Sequence, residues 1–491
     1  MTSQAKEKQD EYESVPLLPK PTHEDKPSFS IVRARITSAF IPVFTLSAGS
    51  ARDSMLAQFL VARLKDDAGF SNSSQIGSCI EDSNNSMIKI ANEFQAEASE
   101  QLMYYSLVLT IPAFFTCLLA GSYTDYIGRR LLILIPTFTY FLRTAIICCV
   151  IKFHLDLRFI YLAYGIDGLV GSWYLLLLAL FSFTADISFS KKDRTFWIYF
   201  VACSLSIMAA VINIAVGYLI KIYGFFEATL FLCSMMFVAF IVPLIFLPET
   251  LQHRRSIVGV SPLIHARKII GFYFFDGPVR QRATFCVCLT LFVIGVANDL
   301  NVGSLDALYQ MHQPFCWDSV QIGDYSAIRT AGGHFFGLIL FKVLQMCVSI
   351  ERIGMFGALF QGGAFILEAF IQVPWQFYLV PVILIPSCPI VSIIRTMLSM
   401  LAGPDNQGAV FSSIAVVETL CNLVSSQIFN RIYSATVAFM PGAVYLVMAS
   451  FGFLTSLLFG IYFLVHERSH TYEVVVKKEE GNESIQNSIT F

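Results

Sequence analysis

Charge is what this sequence has least of. Only 14% of its 491 residues are Asp, Glu, Lys or Arg, and 55% are apolar, whereas a soluble chain carries roughly 25% charged and 45–50% apolar residues. A water-soluble enzyme of two or three domains is therefore excluded. A basic surplus is also missing: 33 Lys and Arg stand against 35 Asp and Glu, so nothing points to nucleic acid as a partner. No GxSxG or CxxC occurs, which removes the usual signatures of a serine hydrolase and of a cysteine-built zinc site. No cofactor is expected. The first 35 residues lack an apolar h-region and a small-residue cleavage site and hold Pro16, Pro19, Pro21 and Pro27. They read as a disordered cytosolic tail rather than a removable signal peptide.

Long apolar runs are what the chain has in abundance. Windows near 36–60, 102–122, 131–151, 159–186, 196–220 and 226–247, then 283–304, 323–345, 353–372, 377–401, 407–431 and 441–465 are each long enough to cross the hydrocarbon core of a lipid bilayer. The expectation is an all-α polytopic membrane protein with twelve transmembrane helices in two six-helix bundles, 36–247 and 283–465. They are joined by a basic cytosolic stretch at 248–282 carrying Arg254, Arg255, Arg267, Lys268, Arg280 and Arg282. Lys and Arg concentrate in the tails and in loops on the N-terminal side, which places both tails, 1–35 and 466–491, in the cytosol and loop 61–101 outside.

That external loop holds two sequons, at Asn72 and Asn84, open to glycosylation; a third, at Asn482, lies in the cytosolic tail and should stay bare. Most of the twelve cysteines lie inside spans. Cys79 and Cys316 fall in external loops, where they are either two free thiols or a bridge tying the two halves together.

Arg52, Asp53, Arg143, Asp167, Asp299, Asp306, Arg329, His334, Glu368, Arg395 and Glu418 fall inside spans. An ionised group at mid-bilayer costs several kcal/mol unless it faces protein or water, so this many argue for a polar cavity. Asp299 and Asp306, seven apart, share a helix face; they make span seven acidic, or they are separate helix-end carboxylates reaching water. Glu418, mid-span with Asn422 one turn on, is a proton-carrier candidate or a structural hydrogen-bonding group. Arg395 follows Pro381, Pro386 and Pro389 and either clamps an anion or snorkels to headgroups. Gly332, Gly333 and His334 combine close-approach backbone with a side chain that titrates near neutrality, functional or merely satisfied.

The loop after span two reads Gly121-Ser122-Tyr123-Thr124-Asp125-Tyr126-Ile127-Gly128-Arg129-Arg130. This resembles the signature loop of the major facilitator superfamily, and Pro248-Glu249-Thr250 at the end of span six is similar to the same superfamily. Pro314-Phe315-Cys316-Trp317-Asp318-Ser319, Ile394-Arg395, Gln407-Gly408-Ala409-Val410-Phe411-Ser412, Ala185-Asp186, Arg194-Thr195-Phe196 and Ile428-Phe429-Asn430 resemble the proton-coupled folate transporter family, solute carrier family 46.

The resemblance implies a Cys79–Cys316 bridge. It also implies a conformational-switch loop comprising Gly121, Asp125, Gly128, Arg129 and Arg130, a structural role for Asp186, substrate handling by Arg395 and a counterpart histidine at His265. The sequence departs from the family at Ala202, where the folate transporter has a glutamate, and at Asp299, where it has a histidine. The function implied is proton-coupled symport of a small organic anion, such as a folate-like compound, an anionic conjugate or a small cell-wall peptide, toward the cytosol. Arg395 and Arg329 would meet the substrate, and Asp299, Glu418 and His334 the proton. A transport-inactive receptor or scaffold is the alternative, and a polytopic membrane enzyme the remoter one. Glu13, Leu17 and Leu18 fit an acidic dileucine signal, and Tyr472 with Val475 a tyrosine-based one. Read by clathrin adaptor proteins, these would direct the chain to endosomal or lysosomal membranes, with the plasma membrane as the alternative.

Overall fold

The computed structural model describes residues 30–69, 85–187, 191–250, 279–299, 302–402 and 407–463. The predicted sorting signals, Asn72, Asn84, Cys79 and His265 lie outside them. Nearly all the described chain is helix, as it must be in lipid, where backbone N–H and C=O groups find no water and have to pair within the segment.

The first half comprises α1 (Ile31–Asp67), α2 (Asn85–Ile127), α3 (Arg129–Phe153), α4 (Arg158–Val170), α5 (Ser172–Asp186), α6 (Lys191–Tyr223) and α7 (Phe225–Phe246). The second comprises α8 (Val279–Asp299), α9 (Val302–Met311), α10 (Ser319–Ala327), α11 (Gly333–Leu344), α12 (Ile350–Ala369), α13 (Leu379–Leu384), α14 (Ile390–Ala402), α15 (Gln407–Thr436) and α16 (Ala443–Phe463). Among the described residues, eleven helical runs are long and apolar enough to cross a membrane. Where a further span is expected stands α15, whose 30 residues suffice at about 1.5 Å each although Glu418, Asn422, Ser425, Ser426 and Asn430 make it more polar.

Some expected boundaries move. Helix α1 continues to Asp67 and α2 begins at Asn85, so the segment between them is much shorter than 61–101. Arg280 and Arg282 belong to the first turn of α8 rather than to the linker. Span four is split by Gly171 and Ser172, both at positive φ (95° and 48°). Span ten is broken where its prolines remove backbone donors, with 3-10 turns at Pro374–Tyr378 and Ile385–Ser387. Span eight carries a π-helical turn at Ile328–Gly332, a distortion often found at functional sites.

The halves meet along α2 with α15 and along α6 with α10. Ser99 donates to the Asn430 carbonyl at 3.0 Å, Gln427 to the Met103 carbonyl at 3.1 Å, and Tyr433 to Gln95 at 2.9 Å. A Cβ on Gly217 would lie 2.5 Å from the Ser319 carbonyl, and one on Gly323 2.6 Å from that of Asn213, so only glycines allow α6 and α10 this close. Lys221 pairs with Asp318 at 2.7 Å, Arg431 pairs with Glu100, and His312 Nε2 lies 2.9 Å from Asn92 Oδ1. These ties all lie toward the predicted external face. Beneath them Phe315, Trp317, Tyr325 and Phe377 form a buried aromatic plug. Deeper in, Asn422 of α15 donates to the Tyr174 hydroxyl of α5, so the two halves also meet near the middle of the bundle.

Candidate functional site

Proline-broken span ten and polar span eleven bring Arg395 and Glu418 together. One Arg395 terminal nitrogen donates to both Glu418 carboxylate oxygens, at 2.9 and 3.1 Å. The pair is partly open: the arginine side chain is 27% exposed and the glutamate 10%. The guanidinium also lies over the Phe292 ring, 5.8 Å from its centroid. Read singly, Arg395 is an anion clamp or a snorkelling arginine and Glu418 a proton carrier or a structural hydrogen-bonding group; the structure makes them partners in one ion pair.

Arg329 is differently placed. Its guanidinium, on the π turn, donates to Asp306 at 2.6 Å and to Glu368 at 2.9 Å. Tyr445 donates to the other Asp306 oxygen at 2.9 Å, and the Tyr309 hydroxyl reaches the Glu368 carbonyl at 3.1 Å. Two carboxylates already occupy this arginine, so the expected substrate role does not fit its surroundings. Asp306 is correspondingly no helix-end carboxylate reaching water: it is buried against Arg329. Asp299 closes α8, and its side chain lies outside the described residues. His334 is exposed, its Nδ1 2.9 Å from the Thr330 carbonyl one turn earlier, and belongs to neither charged cluster.

The first half has its own network, which the sequence marked only as scattered polar positions. Arg143 pairs with Asp167 at 3.0 Å, both fully buried. Asp167 also accepts from Thr139 at 2.9 Å and from Ser172, at the break between α4 and α5, at 2.8 Å. Arg52 and Arg143 each lie 4.7 Å from the Tyr140 ring centroid, a cation–π sandwich made possible by Gly49, where a Cβ would come within 2.9 Å of Tyr140. Arg52 donates to Asp53 and, at 3.3 Å, to Thr144.

At the other face, Gly128 adopts φ 103° and opens α3, whose first backbone N–H groups, at Arg129 and Arg130, donate to the Glu249 carboxylate at 2.9 and 3.4 Å. Arg130 also donates to the Leu244 carbonyl at 2.7 Å. An anion at a helix N-terminus is favourable for dipole and donors alike. The signature loop and Pro248-Glu249-Thr250, noted separately in the sequence, thus form one contact. The side chains of Gly121, Asp125, Asp186 and Ala202 lie outside the described residues.

No protein-family model matches the chain. Among curated proteins it is 26% identical over 404 residues to the proton-coupled folate transporter of Bos taurus, covering 82% of this chain and 87% of that one. It is 25% identical over 405 residues to the lysosomal proton-coupled steroid conjugate and bile acid symporter SLC46A3 of Mus musculus, covering 80% and 87%. Among solved structures, the human organic anion transporter MFSD10 superposes with a TM-score of 0.61 at 14% identity, covering 88% of this chain and 100% of that one. An auto-inhibited POT family peptide transporter superposes with a TM-score of 0.62 at 15% identity, covering 88% and 96%. The chain has the fold of the major facilitator transporters, and its curated homologues are members of solute carrier family 46, which are transporters and not enzymes.

Proposed function

We propose that the chain is a secondary active transporter that carries a small organic anion with a proton toward the cytosol by alternating access. One observation carries this reading: Arg395 is both partly exposed and paired with Glu418. A substrate carboxylate, sulfate or phosphate can take the guanidinium only by displacing Glu418. The displaced carboxylate would then be an uncompensated charge in a poorly solvated place, a cost of several kcal/mol that protonation removes. Anion binding and proton uptake are therefore tied by charge balance: one negative charge arrives on Arg395 as one is neutralised on Glu418. Substrate release on the cytosolic side re-forms the pair and expels the proton.

The substrate class follows from that chemistry and from the relatives, one group named for folate and the other for steroid conjugates and bile acids. Arg329 we read as a structural lock of the second half rather than a substrate group. The loop from Gly121 to Arg130, held to Glu249, is assigned to gating at the cytosolic face. The Cys79–Cys316 bridge is supported by Cys316 being disulfide-bonded. Glycosylation at Asn72 and Asn84, adaptor binding by the tails and an endosomal or lysosomal address belong to the same reading, the last supported by the lysosomal relatives.

The test is uptake of folate, a steroid sulfate and a bile acid into proteoliposomes at outside pH 5.5 and 7.4. At least one should accumulate faster in acid, and Glu418→Gln should flatten that response. Equal uptake at both pH values for every anion carried would remove proton coupling.

A further inference from the structure

The first half holds a carboxylate that the coupling step above does not use. Asp53 lies near the middle of α1, and its side chain is 51% exposed although Arg52 beside it is 0% exposed. At this level Ala51, Met55, Leu56 and Ala57 are buried, whereas Ser50 is exposed and Leu46 half-buried. Leu46, Ser50 and Asp53 follow helical spacing, so they form one narrow open face. An ionised carboxylate turned to lipid at this depth costs about 3 kcal/mol or more. The open face of α1 is thus the wall of a wet interior path. Within the carboxylate, Arg52 Nε and a terminal nitrogen both donate to Oδ1, at 3.1 and 2.9 Å, which leaves Oδ2 as the oxygen that Arg52 does not hold.

We propose that Asp53 is a second proton-loading carboxylate, in the half of the carrier opposite Glu418, and that its protonation prepares the path for an anion. This rests on the reading of the chain as a proton-coupled anion carrier. Arg52, Asp53, Arg143 and Asp167 together carry no net charge. A proton taken from external water by Oδ2 leaves the cluster at +1, and the same proton returned to cytosolic water restores zero. The buried Arg52 is not stranded meanwhile, because Thr144 and the Tyr140 ring still hold it and Asp167 lies within electrostatic reach. The +1 state attracts an anion into the path before Arg395 receives it. The groups facing Asp53 are Arg52 on its own helix, Tyr140 on α3, and Tyr164 and Asp167 on α4.

The experiment needs no transported substrate. The full chain in lipid vesicles is acidified, and two signals are read: proton uptake by a pH dye, and the infrared carboxylic-acid C=O band in the acid-minus-neutral difference spectrum. Asp53→Asn should take up one proton fewer per chain and lose one C=O component, while Asp53→Glu should keep a component at a shifted frequency. Glu418→Gln should remove a different component, so a failure of the coupling reading at Glu418 is distinguishable from a failure at Asp53. If folded Asp53→Asn keeps the full wild-type difference band and proton uptake, the inference is overturned. If Asp53→Asn does not fold, loss or retention of the wild-type component in Asp53→Glu decides it: an unshifted spectrum overturns the proposal, a shifted one supports it.

Discussion

The second half of the molecule contains two arginine–carboxylate clusters built from the same chemistry with opposite access. Around Arg329, two carboxylates and the Tyr325 hydroxyl take one guanidinium, Tyr445 braces Asp306, and Glu368 is fully buried. Among the described residues Arg395 pairs with a single carboxylate, and more than a quarter of the arginine side chain remains open. Oversupplied with partners, the first arginine has nothing to exchange. Undersupplied and reachable, the second can trade its partner for an incoming anion. The same contrast divides the first half, where Arg143–Asp167 is sealed and Arg52–Asp53 is open on its acidic side.

The largest expected effect breaks the open pair. Arg395→Ala leaves Glu418 without its counter-charge, and losing one member of such a pair costs roughly 3–5 kcal/mol, which is a hundredfold or more in an equilibrium constant. Uptake of any anion the wild type carries should fall by about that factor, while thermal stability in detergent falls less because the site is partly open. Equal losses in transport and stability would make Arg395 another lock.

The sealed clusters should behave the opposite way. Asp167→Asn or Glu368→Gln removes a charge from a fully buried ion pair, so about 3–5 kcal/mol of stability should go, read as a lower unfolding temperature and poorer recovery of folded protein. Any surviving molecules should keep the wild-type pH dependence of uptake, and a flattened profile would place Glu368 in the coupling step. A smaller probe of the same contrast is Gly49→Ala. The added methyl meets the Tyr140 ring at 2.9 Å, and overpacking of this kind costs about 1–3 kcal/mol, displacing the ring that Arg52 and Arg143 share.

The sequence made the fold legible because its evidence is additive: each long apolar run is independent testimony for a helix, and prolines 381, 386 and 389 announced the broken span ten. The signature loop was legible as a pattern but its partner was not. Glu249 binds the N-terminus of α3 across 119 or more residues, and no local spacing reports such a contact. Arg395 and Glu418 were recognisable singly, since each is a charge in an apolar span, but their pairing depends on how two helices rotate against each other. The surroundings of Arg329 were hidden for the same reason. Its two carboxylates come from α9 and α12, and only their arrival in space shows that this arginine is already paired twice. Asp53 was visible only as a polar residue in span one, and what singles it out is exposure, a property of the assembled bundle.

The smallest expected effect concerns the ties at the predicted external face, which lie outside the membrane spans and titrate. Burial holds the His312 imidazole below its usual value, against hydrogen bonds to the Gln313 and Val437 backbone that act the other way. For Asp318, partial burial is outweighed by hydrogen bonds from Lys221 and from the Gln321 backbone, so its carboxyl sits below the usual carboxylate range. Both shifts have the same sign. A group whose value is depressed in the closed arrangement stabilises that arrangement above its ordinary value, and the contribution is lost as pH falls. His312 acts first, as pH drops through and below about 6.5, and Asp318 only below about 4. Acid on this face therefore weakens the seal between α9 and α2, opening the path toward the compartment that supplies the protons. Labelling of a cysteine introduced at Ser50 by an impermeant thiol reagent should accelerate between pH 7.4 and 5.5, and His312→Gln should remove most of that acceleration. Labelling that is independent of pH in the parent protein would show that the seal is indifferent to acid and that the drive to open comes from the carboxylates within.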